Sequence, residues 1–456
     1  MQGVGGPPDE GTGGPGAAPS HQPAGETRPV FEPLLYVHVI IVSALTGVVL
    51  LLYLVVFSAG LELLWENDVV ASNRWAFPLV CLPFSLVVGL LVKHLHAPTA
   101  MTESLTDSIA GDTSRVDWRR FPVSVAQALA SLFSGAPLGP EGGLGLLASQ
   151  VASWYGHALR IPASRRTRLV YASVASAYNG LLQNPLFAGV LGTELAQTRE
   201  AGLLSLAANL TGGAVGYAVF NWVFRSVDAP DMAGLLGLEP LEHVRLVDAL
   251  LIVLMALLGV VLAAVAGLFF KLAEKGCARF KDEMARALVA GAVFSAAGVI
   301  APILMFSGET QVRTLVDDPA HFGAGLLVVI ALAKLALLAV GFRSGFLGGA
   351  IFPTVFALVA VALAVDLILP GAEPAVLVAG LMVGFMVVMF RTPFMVILLA
   401  GFMLEASMDL IALIVLAVAA VLIVSPLLDR LLASRTASGR GRAADEGPTP
   451  GQDTEG

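Results

Sequence analysis

A single acidic residue, Glu141, lies among glycines and a proline in an otherwise apolar stretch of this sequence. The stretch reads SGAPLGPEGGLGLLASQ (134–150), and no other Asp or Glu occurs between Asp117 and Glu194. A carboxylate at membrane depth costs at least ~2.5 kcal/mol, whereas a helix N-terminus returns only ~0.3–1 kcal/mol. We therefore predict a functional role for Glu141. Its chemistry would be reversible protonation, in which the ionised carboxylate occupies an anion site and the protonated form releases it.

The composition places this stretch inside a membrane. The chain has 456 residues, of which 57% are hydrophobic and 13% charged, whereas about a quarter of an average soluble protein is charged. Several blocks without Asp, Glu, Lys or Arg reach or approach the ~20 residues that cross a bilayer. These blocks are 33–61, 75–92, 249–270, 287–308, 344–365, 374–390 and 410–428. We predict an all-α polytopic membrane protein.

Three shorter apolar segments predict helices that enter the membrane without crossing it. They are 121–140, 185–193 and 392–404. The two ends of the chain, 1–33 and 435–456, are rich in Gly, Pro and polar residues, which predicts disordered tails.

The distribution of Lys and Arg predicts the orientation. The loop 160–168 and the stretch 430–442 are rich in Arg, and the stretch 271–286 is rich in Lys and Arg. All three are predicted to be cytoplasmic. The connecting loop 227–246 has no Lys or Arg before Arg245 and is predicted to be extracellular. Both termini are then cytoplasmic, and we expect a bacterial plasma membrane.

The chain divides into two membrane repeats, 34–226 and 247–434, with the same order of features. Each repeat has a Gly-rich break followed by a Pro-containing segment, and the separation is 46 positions from Gly139 to Pro185 and 44 from Gly349 to Pro393. Matched breaks of this kind indicate the binding site of a transporter built from inverted repeats. Isolated glycines can instead serve only close helix packing, but their matched occurrence in both halves favours an internal duplication.

Helices that begin inside the membrane create an anion site. Their first N–H groups have no intrahelical partner, and the helix dipole is positive at that end. Such a place attracts anions. A carboxylate at the same place competes with the anion, and a proton-linked gate at Glu141 follows.

Five motifs resemble the CLC family of chloride channels and transporters, and the resemblance extends over about residues 34–434. They are GPEGG (139–143), NPLFAGVLGTE (184–194), GETQ (308–311), GFRSGFLGGAIFP (341–353) and RTPFMVILLAGFMLE (391–405). The resemblance implies an inverted-repeat fold with broken and re-entrant helices, a homodimer, and one ion pathway in each subunit. It implies that Glu141 is the gating glutamate.

The resemblance also implies the anion site. The residues assigned to it are Gly139, Gly349, Ala350 and Ile351, through main-chain groups, with Ile351 at the position where the family usually has Phe. The expected partners are chloride or a similar small anion, membrane lipid and a second copy of the chain. If transport is proton-coupled, protons are a further expected substrate. No cofactor, metal or nucleic acid is expected.

Three departures from the family pattern bear on the mechanism. The motif Gly-Ser-Gly-Ile-Pro is absent, and Ser104 is the best-placed hydroxyl, followed by Thr102, although either could cap a helix. The tyrosine of the last helix is replaced by Leu428. Glu194 lies two positions before the family's internal proton acceptor, where this chain has Ala196.

The last departure, Ala196, favours a passive channel or loosely coupled exchange. The alternative is a proton-coupled anion antiporter, in which Glu194 is the candidate internal proton site. Glu194 could equally pair with a neighbour such as Arg199. A membrane-embedded enzyme that uses Glu141 as an acid or base is a remote third hypothesis, because no catalytic partner lies beside either break.

Two other polar residues lie in apolar blocks. Lys334 could attract anions into a vestibule or extend its amine to the interface. His38 is expected to be a neutral hydrogen-bonding residue, since a single His makes no metal site.

Overall fold

The computed structural model describes residues 33–99, 116–195, 199–226, 235–239, 241 and 243–424. Four residues named above, Thr102, Ser104, Ala196 and Leu428, lie outside the described residues. Nearly all of both predicted tails also lies outside them.

The described residues form a succession of α-helices. In the first repeat these are α1 Pro33–Trp65, α2 Asp68–Ser72, α3 Phe77–Leu95, α4 Phe121–Phe133, α5 Glu141–Ala158, α6 Ala163–Leu181, α7 Phe187–Leu195 and α8 Arg199–Ser226. In the second repeat they are α9 Leu246–Cys277, α10 Glu283–Ile300, α11 Gln311–Asp317, α12 Pro319–Arg343, α13 Ile351–Ile368, α14 Pro374–Phe390, α15 Pro393–Met403 and α16 Met408–Val424. The prediction of an all-α fold is confirmed.

Among the described residues, six helical segments are long and apolar enough to cross a membrane. They are α1, α3 with the short helical turn before it, α9, α10, α12 and α13. The protein is therefore an integral membrane protein. The three segments predicted to enter without crossing contain α4, α7 and α15, which have 13, 9 and 11 residues and are shorter than the ~20 residues that a crossing needs.

The helices of the two repeats correspond in order and in length. The pairs are α1 and α9 with 33 and 32 residues, α3 and α10 with 19 and 18, α5 and α13 with 18 each, and α6 and α14 with 19 and 17. The matched order and lengths agree with the two-repeat architecture with broken helices that the sequence predicted.

Both breaks contain a glycine with positive φ at the corresponding position. Gly135 and Gly345 each precede a second glycine, Gly139 or Gly349, by four positions. Both have positive φ, 71° and 96°. That left-handed conformation is one that glycine adopts without steric cost, so each glycine ends a helix and redirects the chain into the protein.

The two repeats also contact each other outside the breaks, where α3 packs on α10. Gly291 faces Ser85 so closely that a Cβ would overlap its hydroxyl. At the end of α3, Lys93 Nζ donates a hydrogen bond of 2.7 Å to Asp282 Oδ1. The hydrogen bond from Lys93 lowers the pKa of the Asp282 carboxyl, so the bond joins two charged groups at neutral pH.

Candidate functional site

The two glycine-rich breaks meet each other. Gly139 N donates to Gly349 O at 3.0 Å, and Gly349 N donates to Gly139 O at 2.7 Å. Within the described residues this antiparallel pair is the only β-bridge. Residues 134–153 are buried throughout, as are 351–364. Irregular backbone at membrane depth requires such burial in protein or contact with a wet cavity.

Helices α5 and α13 begin directly after this bridge. Glu141, the first residue of α5, is hydrogen-bonded to the first turn of α13. The Glu141 side chain is 0% exposed. Its Oε1 accepts hydrogen bonds from Ile351 N at 2.8 Å and from Phe352 N at 3.4 Å. These amides belong to the first turn of α13, where the helix offers no internal acceptor. The carboxylate thus occupies a helix start of the kind that attracts anions.

This geometry refines the predicted set of amides. Ile351 is a donor to the carboxylate, as expected for an anion-binding amide. The Gly349 amide instead takes part in the bridge with Gly139. Phe352 is the second donor and was not singled out from the sequence. The available signal was its position in the first turn of α13, next to Ile351.

The bridging glycines also make room for the carboxylate. A Cβ at Gly139 would overlap Glu141 Oε2, and a Cβ at Gly349 would overlap Glu141 Cδ. At Gly142 a Cβ would instead meet the backbone of Gly348. Glycine is therefore needed at Gly139 and Gly349 because of the Glu141 side chain, and at Gly142 because the two breaks approach closely.

Two tyrosines lie beside Glu141. Tyr53 and Tyr178 are both buried and lie close enough to the Glu141 carboxylate to interact with its charge. Among the described residues, neither hydroxyl has a hydrogen-bond partner, and Glu141 Oε2 also has none. Sequence reasoning missed both tyrosines, since their positions carry no recognisable motif.

Lys334 does not extend to the membrane interface. It is 0% exposed, and its Nζ donates to the carbonyl oxygens of Leu304, Met305 and Phe306 at 3.2, 2.9 and 2.8 Å. It also lies 4.7 Å from the centre of the Phe356 ring. Lys334 therefore holds the loop that leads to α11.

A second carboxylate, Glu309, comes from this loop. It lies beside Ser307 and within electrostatic range of Lys334. It also lies within electrostatic range of Glu141. The GETQ motif therefore brings a second acid, with a buried lysine beside it, toward Glu141.

Glu194 lies at a different helix start. Its two carboxylate oxygens accept hydrogen bonds from Phe394 N at 2.7 Å and Met395 N at 3.0 Å. It therefore caps α15, in the way that Glu141 binds the start of α13. The pairing with Arg199 stays a prediction, because that side chain lies outside the described residues.

His38 is the remaining polar residue that the sequence singled out. His38 Nδ1 lies 2.9 Å from the Tyr155 hydroxyl, which agrees with the expected hydrogen-bonding role. In the described part of the chain, no three His, Cys, Asp or Glu residues form a group that could hold a metal ion.

The fold and this pair of helix starts match a known family. A sequence model described as "Voltage gated chloride channel" matches residues 84–425, which include both breaks and Glu141. The chain belongs to this family, the CLC family. It is thus a membrane protein of a family that transports anions. Among curated protein sequences, none matches this chain.

Solved CLC structures have the same fold. A slow cyanobacterial Cl-/H+ antiporter is 16% identical with a TM-score of 0.74, and the match covers 89% of this chain and 100% of that chain. A CLC-type fluoride/proton antiporter is 16% identical with a TM-score of 0.64, over 86% and 95% of the two chains. A eukaryotic CLC transporter is 14% identical with a TM-score of 0.60, over 85% and 71%. At these identities, the likeness concerns the fold.

Proposed function

We propose that this CLC protein is a proton-coupled antiporter of chloride or a similar small anion, gated by Glu141. One observation carries the proposal: the buried Glu141 carboxylate lies on the Ile351 and Phe352 amides. An anion that binds those amides must displace it. Protonation removes the charge that holds the carboxylate there, because charge-assisted hydrogen bonds are roughly twice as strong as neutral ones. Proton and anion therefore exclude each other at one site.

The comparisons favour the antiporter over the passive channel that the sequence favoured. Two of the similar structures are those of a Cl-/H+ antiporter and a fluoride/proton antiporter. The passive channel remains the second candidate, since Leu428 and Ala196 replace residues that transporters of this family often carry. A membrane enzyme is not favoured, because the relatives are transporters.

The rest of the proposal follows the family. The protein forms a homodimer, in which each subunit has its own site. It lies in a bacterial plasma membrane with both termini in the cytoplasm, and its repeats are 34–226 and 247–434. The main-chain anion site is formed at Gly139, Gly349, Ala350 and Ile351, where the Ile351 amide is a donor and the Gly139 and Gly349 amides form the bridge that shapes the site. Ser104 is the hydroxyl candidate, and Glu194 is a candidate internal proton site.

The test uses purified protein in liposomes with an outward chloride gradient. Chloride efflux and the pH of the lumen are recorded together, with a protonophore added at the end. Uphill proton movement that depends on chloride is the expected result. Chloride efflux without proton movement would establish the passive channel, and absence of any anion flux would contradict both candidates. As a control, Glu66→Gln, which alters an exposed acid, should transport chloride and protons like the wild type.

A further inference from the structure

Five buried hydroxyl groups of α1 and α6 have no hydrogen-bond partner among the described residues. They belong to Ser43, Thr46 and Tyr53 of α1 and to Ser173 and Tyr178 of α6, and we call these residues the hydroxyl seam. Each is no more than 5% exposed. A buried polar group without a partner costs ~1–3 kcal/mol. Five such groups on two adjacent helices therefore indicate a polar path.

One end of the hydroxyl seam lies at Glu141. The Tyr53 hydroxyl is next to Gly143, where a Cβ would lie 3.1 Å from it. Tyr53 and Tyr178 both interact with the Glu141 charge. The free Oε2 of Glu141 is a third buried oxygen without a partner in this part of the structure.

The other end lies toward the predicted cytoplasmic side. Helix α1 runs antiparallel to α5, because Tyr53 lies at Gly143 and His38 contacts Tyr155. Helix α5 ends just before the loop 160–168, which carries four Arg residues, and α6 begins within that loop. The rise from Ser43 to Tyr53 is about 15 Å, half of the ~30 Å hydrocarbon thickness.

A direct contact joins the two helices of the seam. Ser176 Oγ donates to the Ser43 carbonyl oxygen at 2.8 Å. The level of Ser43 on α1 is thus the level of Ser176 on α6, two residues before Tyr178. Tyr178 therefore lies on α6 between the level of Ser43 and Glu141, within electrostatic range of the Glu141 carboxylate.

We propose that the hydroxyl seam conducts protons between Glu141 and the cytoplasmic side, a proposal that rests on the antiporter function proposed above. The protonated Glu141 carboxyl passes its proton to the oxygen of Tyr178 or Tyr53 while that hydroxyl releases its own proton to the next hydroxyl or to an intervening water. Each hydroxyl ends with one proton, so only the carboxyl and the final water change charge.

The chemistry of the seam suits protons better than anions. A hydroxyl both donates and accepts a hydrogen bond, whereas the amides that bind an anion only donate. Ser43, Thr46 and Ser173 are each 0% exposed, and no Lys or Arg belongs to the seam. The anion therefore uses the amides of α13, and the proton leaves by a separate route.

The experiment measures chloride flux and proton flux separately for Tyr53→Phe, Tyr178→Phe, the double variant and Thr46→Val in liposomes. These changes keep the shape of the side chain and remove hydroxyls without partners, so the fold should be retained. The control is Ser85→Ala, because Ser85 is also buried without a hydrogen-bond partner among the described residues but lies between α3 and α10.

We expect the double tyrosine variant to lower proton flux about tenfold or more, since a positioned proton donor contributes at least that much, while chloride flux changes less than about twofold. If the wild type couples protons to chloride but every seam variant keeps the wild-type proton-to-chloride ratio, the proposed role of the hydroxyl seam is wrong. The antiporter function would be unaffected by that result. Parallel loss of both fluxes at constant ratio would also overturn the seam. If the wild-type protein moves chloride without protons, both the antiporter function and the role of the hydroxyl seam are contradicted.

Discussion

Gly139 and Gly349 exchange two backbone hydrogen bonds, of 3.0 and 2.7 Å, although 210 positions separate them. Each glycine lies within two residues of the start of a helix, at Glu141 or Ile351. The bridge therefore holds two helix starts against each other in the protein interior. It sets the distance across which the first-repeat carboxylate binds second-repeat amides.

Neutralising Glu141 should abolish the pH dependence of anion flux. In the wild type, acidification protonates the carboxyl, weakens its bonds to Ile351 and Phe352, and raises flux. Glu141→Gln has no charge at any pH, so its flux should stay near the level of acidified wild type. Chloride efflux measured over a series of pH values checks this. A Glu141→Gln protein that retains the wild-type pH profile would rule out the gate assignment.

A methyl group at Gly349 should interfere with Glu141 alone. Gly349→Ala places Cβ on the Glu141 side chain, and overpacking of this kind costs about 1–3 kcal/mol. Removal of the obstructing atoms in Glu141→Ala/Gly349→Ala should restore most of that stability. Thermal unfolding in detergent measures both proteins.

Gly142→Ala is the matched control for that pair, because its Cβ meets the Gly348 backbone. Glu141→Ala should not rescue it. Equal rescue of Gly142→Ala and Gly349→Ala would contradict the close contact between Gly349 and the carboxylate.

Lys334→Met should destabilise the protein by about 3 kcal/mol or more, because three buried carbonyl groups lose their donor and Glu309 loses a nearby cation. The double variant Lys334→Met/Glu309→Gln should recover part of this loss. Thermal unfolding provides the measurement, and Lys93→Met, at a partly exposed lysine, provides the control. If the stability losses of the two single variants add up in the double variant, the two charges do not interact.

Glu194→Gln should cost about 1 kcal/mol of stability, the usual value of a helix cap, because two amides of α15 lose their charged acceptor. If the hydroxyl seam conducts the proton, the proton-to-chloride ratio should not change. A variant that loses coupling but keeps chloride flux would instead make Glu194 the internal proton site that the sequence predicts. Glu66→Gln again serves as the matched control.

Local composition was sufficient to predict the class of protein and to single out Glu141 as a candidate site residue. Apolar blocks near the length of a membrane crossing predicted the integral membrane fold, because the bilayer thickness sets that length. The isolated acid Glu141 and the matched Gly-Pro breaks predicted the site, because charge and irregular backbone are costly at membrane depth. These inferences depend on the free energy of placing a segment in the membrane. That free energy follows from the residue types within the segment itself.

The tertiary structure alone decided which groups meet. The amide of Phe352, the carbonyl groups bound by Lys334, and the tyrosines beside Glu141 follow from contacts between helices far apart in the chain. Lys334 shows the difference most clearly: the sequence allowed an interfacial amine or an anion-attracting one, and the fold buries it against a loop about 30 positions away. Such pairings depend on the orientation and depth at which helices pack, and no local pattern of residues encodes either quantity.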